Sequence, residues 1–271
     1  MPEVTLDDVT LAYDVAGDGD PVVLICGCGG PAVGWFGITP GLVAAGYQVV
    51  TFDNRGMAPS SSPPAPYTID QMVRDTLGLC DHLGIARARF AGHSMGGWIA
   101  EVLAAEHCER VEAAVMMGSC NETTSWERAV TLAQRDLARI DGELPSSLAT
   151  LEVLHYLPNH ELMDDEVVET WVAMVTEGEP WTNPGRLGQY EACLGWYDDD
   201  EKHAAARATI GVPCLVMAFE HDIDSPPPRA RVAAAQIPAA QFVEIIGASH
   251  LGPYTHPEAV TDQLTEFFAS Q

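Results

Sequence analysis

The run Gly92-His93-Ser94-Met95-Gly96-Gly97 places one hydroxyl between small residues. A β-type run, Ala86 to Ala91, precedes it, and a helical pattern, Met95 to His107, follows. Gly-x-Ser-x-Gly in that setting reads as a nucleophile elbow. The reason is steric. A sharp strand-to-helix turn holds the serine in a strained conformation, so its neighbours at 92 and 96 must be small. The helix N-terminus beneath the hydroxyl favours a developing oxyanion. Such a hydroxyl attacks a carbonyl only if a base takes its proton and an acid orients the base.

Nine histidines are candidates for the base. His250, in Gly247-Ala248-Ser249-His250-Leu251-Gly252, directly follows the last β-type run. That puts it in a loop at the sheet edge where open α/β sheets bind ligands. His93 sits inside the elbow with its side chain directed away from the hydroxyl. His82, His107 and His256 read as solvated helix residues, and His155, His160 and His203 as exposed residues of a helical segment. For the acid, Phe219-Glu220-His221-Asp222-Ile223-Asp224 follows the preceding β-type run. Asp222, Asp224 and Glu220 all qualify there, and an acid after an earlier strand would be Glu122. The chain order Ser…Asp…His favours the later position, with Asp222 the first choice.

These residues need a scaffold, and the rest of the chain describes one. Val9 to Val15 alternates like a hairpin strand. Val22 to Cys26 and Gln48 to Asp53 are continuous apolar runs ending in turn residues, as expected of strands buried on both faces of a parallel sheet. Tyr67 to Leu83 reads as a helix opened by a Thr68/Gln71 capping box. Strand Val111 to Met117 follows, and the alternation implies βαβ units. From 121 to 208 the β-type runs stop and amphipathic helices take over, clearest in Asp164 to Thr176. A stretch of that length is too long for a plain loop and reads as an inserted helical cap. The α/β pattern resumes with Pro213 to Phe219, Gln241 to Ile246 and a last helix from Pro257 to Phe268. The expected organisation is an α/β core, residues 1–120 and 209–271, around a cap at 121–208.

Composition narrows the partners. The net charge of −26 leaves no basic surface for nucleic acid or for an anionic membrane. The seven cysteines, an odd number, form no framework, and Cys26-Gly27-Cys28 lacks a second pair at metal-ligand spacing. No metal site and no organic cofactor is expected. The opening Met1-Pro2-Glu3-Val4 has neither a basic nor an apolar leader region. We therefore expect a cytoplasmic protein with free thiols, one that binds a small molecule. The oligomeric state stays open between monomer and homodimer.

Together these motifs resemble the α/β-hydrolase fold superfamily, in its capped, esterase-like or perhydrolase-like branch. The resemblance is carried by Val23 to Cys28, Asp53-Asn54-Arg55-Gly56, the elbow, Glu220-His221-Asp222 and Gly247 to His250, in the family's order. It implies a mostly parallel sheet flanked by helices, with Ser94 as nucleophile, His250 as base and Asp222 as acid. It also implies an oxyanion hole from the backbone N–H groups of Cys28 and Met95. The family's His-Gly-X loop reads Cys26-Gly27-Cys28 here, and backbone donors tolerate that change. Relatives with an aspartate nucleophile, the epoxide hydrolases and haloalkane dehalogenases, are excluded by Ser94. Hydroxynitrile lyases use a lysine near the base, whereas Lys202, the one lysine, lies in the cap.

What the resemblance leaves is acyl chemistry on an ester, lactone or thioester, through an acyl-enzyme on Ser94. C–C bond hydrolysis, acyl transfer or cyclisation on the same triad, and ligand reception without turnover are the alternatives. Trp126, Trp171, Trp181 and Trp196 in the cap, with Trp35 and Trp98 in the core, suggest an apolar or aromatic substrate. Of these, Trp35, Trp126, Trp171, Trp181 and Trp196 are the candidate pocket residues.

Overall fold

The computed structural model describes residues 1–120, 122–140, 146–177 and 181–271. Residues 121, 141–145 and 178–180 of the expected cap lie outside the described residues. Eight strands form one sheet: β1 (Glu3–Leu6), β2 (Val9–Ala16), β3 (Asp20–Ile25), β4 (Tyr47–Phe52), β5 (Ala88–His93), β6 (Val111–Met117), β7 (Cys214–Phe219) and β8 (Gln241–Ile245). Their order is β1-β2-β4-β3-β5-β6-β7-β8. The β1–β2 hairpin and the β2–β4 pairing at that edge are antiparallel, and every other pairing is parallel. After β3 the chain steps outward to β4, then crosses back to β5 on the other side. The crevice at the C-terminal ends of β3 and β5 is therefore a topological switch point, where open sheets bind ligands.

Helices cover both faces, which is why β5 and β7 are buried along their whole length. On one face lie α2 (Ile69–His82), α3 (Met95–Glu106) and α9 (Pro227–Ala234), whose Met72, Val73, Leu79, Ile99, Leu103 and Ala233 share a core with β3 and β5. On the other lie α1 (Thr39–Ala44) and α10 (Pro257–Ala269), packed through Leu42, Val260, Leu264 and Phe267. The capping box expected at Thr68 is formed in both directions with Gln71. Strand β5 runs to His93, beyond the apolar run, because Gly92 and His93 still pair with Met116 and Met117 of β6.

Between β6 and β7 the described residues make five α-helices: α4 (Ser125–Ala138), α5 (Ser146–Leu154), α6 (Asp165–Glu177), α7 (Asn183–Trp196) and α8 (Asp200–Arg207). Aromatic stacking ties them to α3, the helix that follows the Ser94 turn. The Trp98 ring of α3 stacks on Trp196 of α7, with centroids 5.5 Å apart, and Trp196 stacks on His203 of α8 at 3.5 Å. His203 is thus buried rather than exposed as the sequence suggested, and burial lowers its pKa to about 4. Beside the stack, Arg207 Nε donates to Glu101 Oε1 at 3.0 Å, and both side chains are buried. Burial alone pushes the Glu101 carboxyl up, and Arg207 opposes that. Breaking such a pair strands a charge, at a cost of about 3–5 kcal/mol. Arg207→Met should therefore lower stability by about 3 kcal/mol or more, read as the urea midpoint. A midpoint unchanged by Arg207→Met would show the pair to be dispensable.

Candidate active site

The elbow forms as its sterics demand. Ser94 has φ 52° and ψ −123°, outside the helical and extended regions, and this is strain that only surrounding structure sustains. A Cβ at Gly92 would lie 1.9 Å from the Gly96 oxygen, and one at Gly96 would lie 2.2 Å from the Ile25 oxygen. Neither position admits a side chain. The Ser94 amide donates to the Met117 oxygen at 2.8 Å, pinning the turn to β6. Ser94 itself remains partly exposed.

The loops after β7 and β8 deliver the partners. His250 Nε2 lies 3.0 Å from Ser94 Oγ, and its Nδ1 lies 2.9 Å from Asp222 Oδ2. Asp222 Oδ1 accepts from the amides of Asp224 and Ser225, each at 2.9 Å, so the carboxylate is fixed by its own loop. Of the other acid candidates, Glu220 accepts from the Gly247 amide, Asp224 accepts from Trp126 Nε1 at 3.1 Å, and Glu122 is exposed. Burial works against the imidazolium of His250, but Asp222, helped by Asp224 and Glu127, outweighs it and holds the pKa up to about 9. The carboxylate thereby orients the ring and makes it a stronger base.

His93 plays a part that its position next to the serine only hinted at. Its Nε2 donates to the His250 oxygen at 2.7 Å, and burial lowers its pKa to about 3, so it stays neutral. It holds the His250 loop from below.

The loop after β3 approaches the serine from the other side. Asn54 Nδ2 donates to the Cys26 oxygen at 3.0 Å, and Asp53 Oδ1 accepts from the Ala32 amide at 2.7 Å. The Asp53-Asn54 turn thus braces this loop. Gln189 of α7 takes the Gly29 amide and donates to the Arg55 oxygen. The Cys28 amide has no hydrogen-bond acceptor among the described residues, and Met95 stands at the first helical position, where amides have no intrahelical acceptor. These are the two N–H groups that the resemblance assigned to an oxyanion. The Cys28 thiol is pushed well up by its contact with Cys193 and by burial, which keeps it protonated.

The tryptophans divide. Trp35 is buried in the core beneath α1, and Trp196 is held in the stack described above. Trp171 packs on Leu251 and Tyr254, next to the base loop. Trp126 is half exposed and bonds Asp224. Trp181 lies against Gly29 of the loop after β3, where a Cβ would meet its ring at 2.5 Å, and it carries Arg186 over its face at 4.7 Å. A cavity of about 690 Å³ reaches His250 and Asp222 and is lined by Leu154, His155, Tyr156 and Ile223 among others, though not by Ser94. Sequence patterns offered no signal for Tyr156. Among the described residues, no group of three or more His, Cys, Asp or Glu is arranged to hold a metal ion, and no helix is long and apolar enough to cross a membrane.

Comparison with known proteins agrees with this geometry. The model of the alpha/beta hydrolase fold matches residues 20–257. A Mycobacterium tuberculosis protein with the provisional name non-heme bromoperoxidase BpoC is 34% identical, over 97% of this chain and 98% of its own length. The 3-oxoadipate enol-lactonase 2 of Acinetobacter baylyi is 28% identical, over 94% and 92%. The crystal structure of the enol-lactonase from Burkholderia xenovorans LB400 superposes with a TM-score of 0.88 at 28% identity, covering 99% of this chain and 100% of that one. The family model spans most of the chain, and the sheet order and the elbow fit it: the chain belongs to the alpha/beta hydrolase fold family.

Proposed function

We propose that the protein is a serine hydrolase of carbonyl substrates, an ester, lactone or thioester, working through an acyl-enzyme on Ser94. The observation that carries the reading is the continuous chain from Ser94 Oγ through His250 to Asp222. In the proposed cycle Ser94 attacks the carbonyl carbon while His250 takes its proton. The amides of Cys28 and Met95 receive the oxyanion, each donor contributing about 3 kcal/mol. Collapse expels the alcohol, which takes the proton from His250, and water then repeats the sequence to free the acid. The five helices between β6 and β7 act as a lid over this centre, and the 121–208 span is the cap. Trp181 and Tyr156 supply aromatic walls, which fits an apolar or aromatic acyl group. The enol-lactonases among its relatives favour a lactone or other ester.

The relative named a bromoperoxidase favours a second reading of the deacylation step. Hydrogen peroxide in place of water would cleave the same acyl–oxygen bond and release a peracid, with Ser94 restored.

The test is intact-protein mass after treatment with a fluorophosphonate. One adduct on the wild type and none on Ser94→Ala or His250→Ala is the expected result. Equal labelling of Ser94→Ala would remove the serine from the mechanism.

A further inference from the structure

The base is held by groups from two parts of the chain. The His93 ring lies 4.9 Å from the His250 ring, and the Tyr156 ring, from the segment following α5, lies 5.0 Å away with a tilt of 33°. The Tyr156 carbonyl also accepts from the hydroxyl of Ser249, the residue before the base. The preceding His155 stacks on Trp126 of α4 with centroids 5.1 Å apart. Trp126 in turn donates to Asp224, whose amide donates to the acid Asp222. One dipeptide of the helical insertion therefore touches the base loop directly and the acid loop through one tryptophan.

We propose that Tyr156 is a positioning residue for His250, so that the base is fully assembled only when the helical insertion is seated on the core. The inference rests on the serine-hydrolase reading for its consequence, though not for its geometry. A histidine side chain turns about two bonds, and its hydrogen bonds to Ser94 and Asp222 fix the ring only while other rotamers are blocked. The Tyr156 ring blocks them from the insertion side, as His93 braces the backbone from the core side. The Tyr156 hydroxyl has no hydrogen-bond partner among the described residues. The positioning is therefore done by the ring and the main chain. An enzyme built this way couples enclosure of substrate to competence of the base, because an insertion lifted off the core would leave the imidazole free to turn.

The experiment compares wild type, Tyr156→Phe, Tyr156→Leu and Tyr156→Ala, each first shown to be folded by its melting curve. Two readouts are taken: the second-order rate of fluorophosphonate inactivation, and the titration of the His250 ring protons by NMR. The groups facing this ring are Asp222, Asp224, Glu127 and His93. Opening the site to water screens them and moves the titration toward the unperturbed value, about 6.5. Tyr156→Phe should match the wild type within about twofold, whereas Tyr156→Ala and Tyr156→Leu should react about tenfold slower or worse. Tyr156→Leu keeps the apolar bulk and covers the case in which Tyr156→Ala does not fold. An unchanged rate and titration in the Leu and Ala variants would overturn the proposal. So would a loss in Tyr156→Phe as large as in Tyr156→Ala. A wild type that takes no fluorophosphonate would count against the hydrolase reading instead, and the NMR titration would still decide on Tyr156.

Discussion

Ser94→Ala should lower kcat toward any ester or lactone that the wild type turns over by about 10⁴-fold or more, leaving only what oxyanion binding and enclosure supply. The fold should survive. Alanine occupies the same strained backbone at φ 52° that serine does, and no hydrogen bond of the elbow except that with His250 uses the hydroxyl. The melting temperature should therefore stay within a few degrees while turnover disappears. An ester panel assayed beside a thermal melt separates the two effects. Retained turnover in a folded Ser94→Ala protein would place the nucleophile elsewhere.

The second large effect concerns the acid. Asp222→Asn should reduce kcat/KM by about 10³- to 10⁴-fold, because an amide in place of the carboxylate permits the wrong imidazole tautomer and no longer supports the imidazolium. Asp224→Asn should cost less than about tenfold, since the Asp224 carboxylate bonds Trp126 and acts on His250 only through space. The pH profile supplies a separate check. The base acts as neutral imidazole, so kcat/KM rises as pH climbs through the pKa of His250. Burial depresses that pKa, but Asp222 and its neighbours hold it at about 9, so the limb lies well above that of a free histidine. Removing the Asp222 charge takes away the strongest attraction, and in Asp222→Asn the limb should move to lower pH. A larger loss in Asp224→Asn than in Asp222→Asn would transfer the acid's role to Asp224.

Much of this centre was legible before any coordinates. The elbow announced itself because its constraint is local: residues 92 to 96 must all fit one turn, and the clash distances at Gly92 and Gly96 state the same fact in space. His250 and Asp222 could be singled out because each follows a recognisable strand, and strands of a parallel sheet end on one edge. The parallel strands themselves were visible as uninterrupted apolar runs, a direct result of helices covering both faces. The tryptophans went differently. Trp35 and Trp196 read as pocket residues from their type alone, whereas Trp35 is buried in the core and Trp196 meets its partner, the Trp98 ring, only across a long stretch of chain. His203 likewise looked solvated until Trp196 covered it.

The chain by itself thus determined the turn around Ser94 and the class of fold, since each is read from runs of neighbouring residues. Sequence ranked Asp222 ahead of Asp224, Glu220 and Glu122, but only tertiary structure brought its carboxylate to the imidazole, spanned two core loops with Gln189 and laid Tyr156 against His250. Those contacts join residues as far apart as Gly29 and Gln189, separated by 160 positions. Such a meeting is fixed by the register of the whole sheet and the seating of the helices on it, and no short window of sequence contains that information.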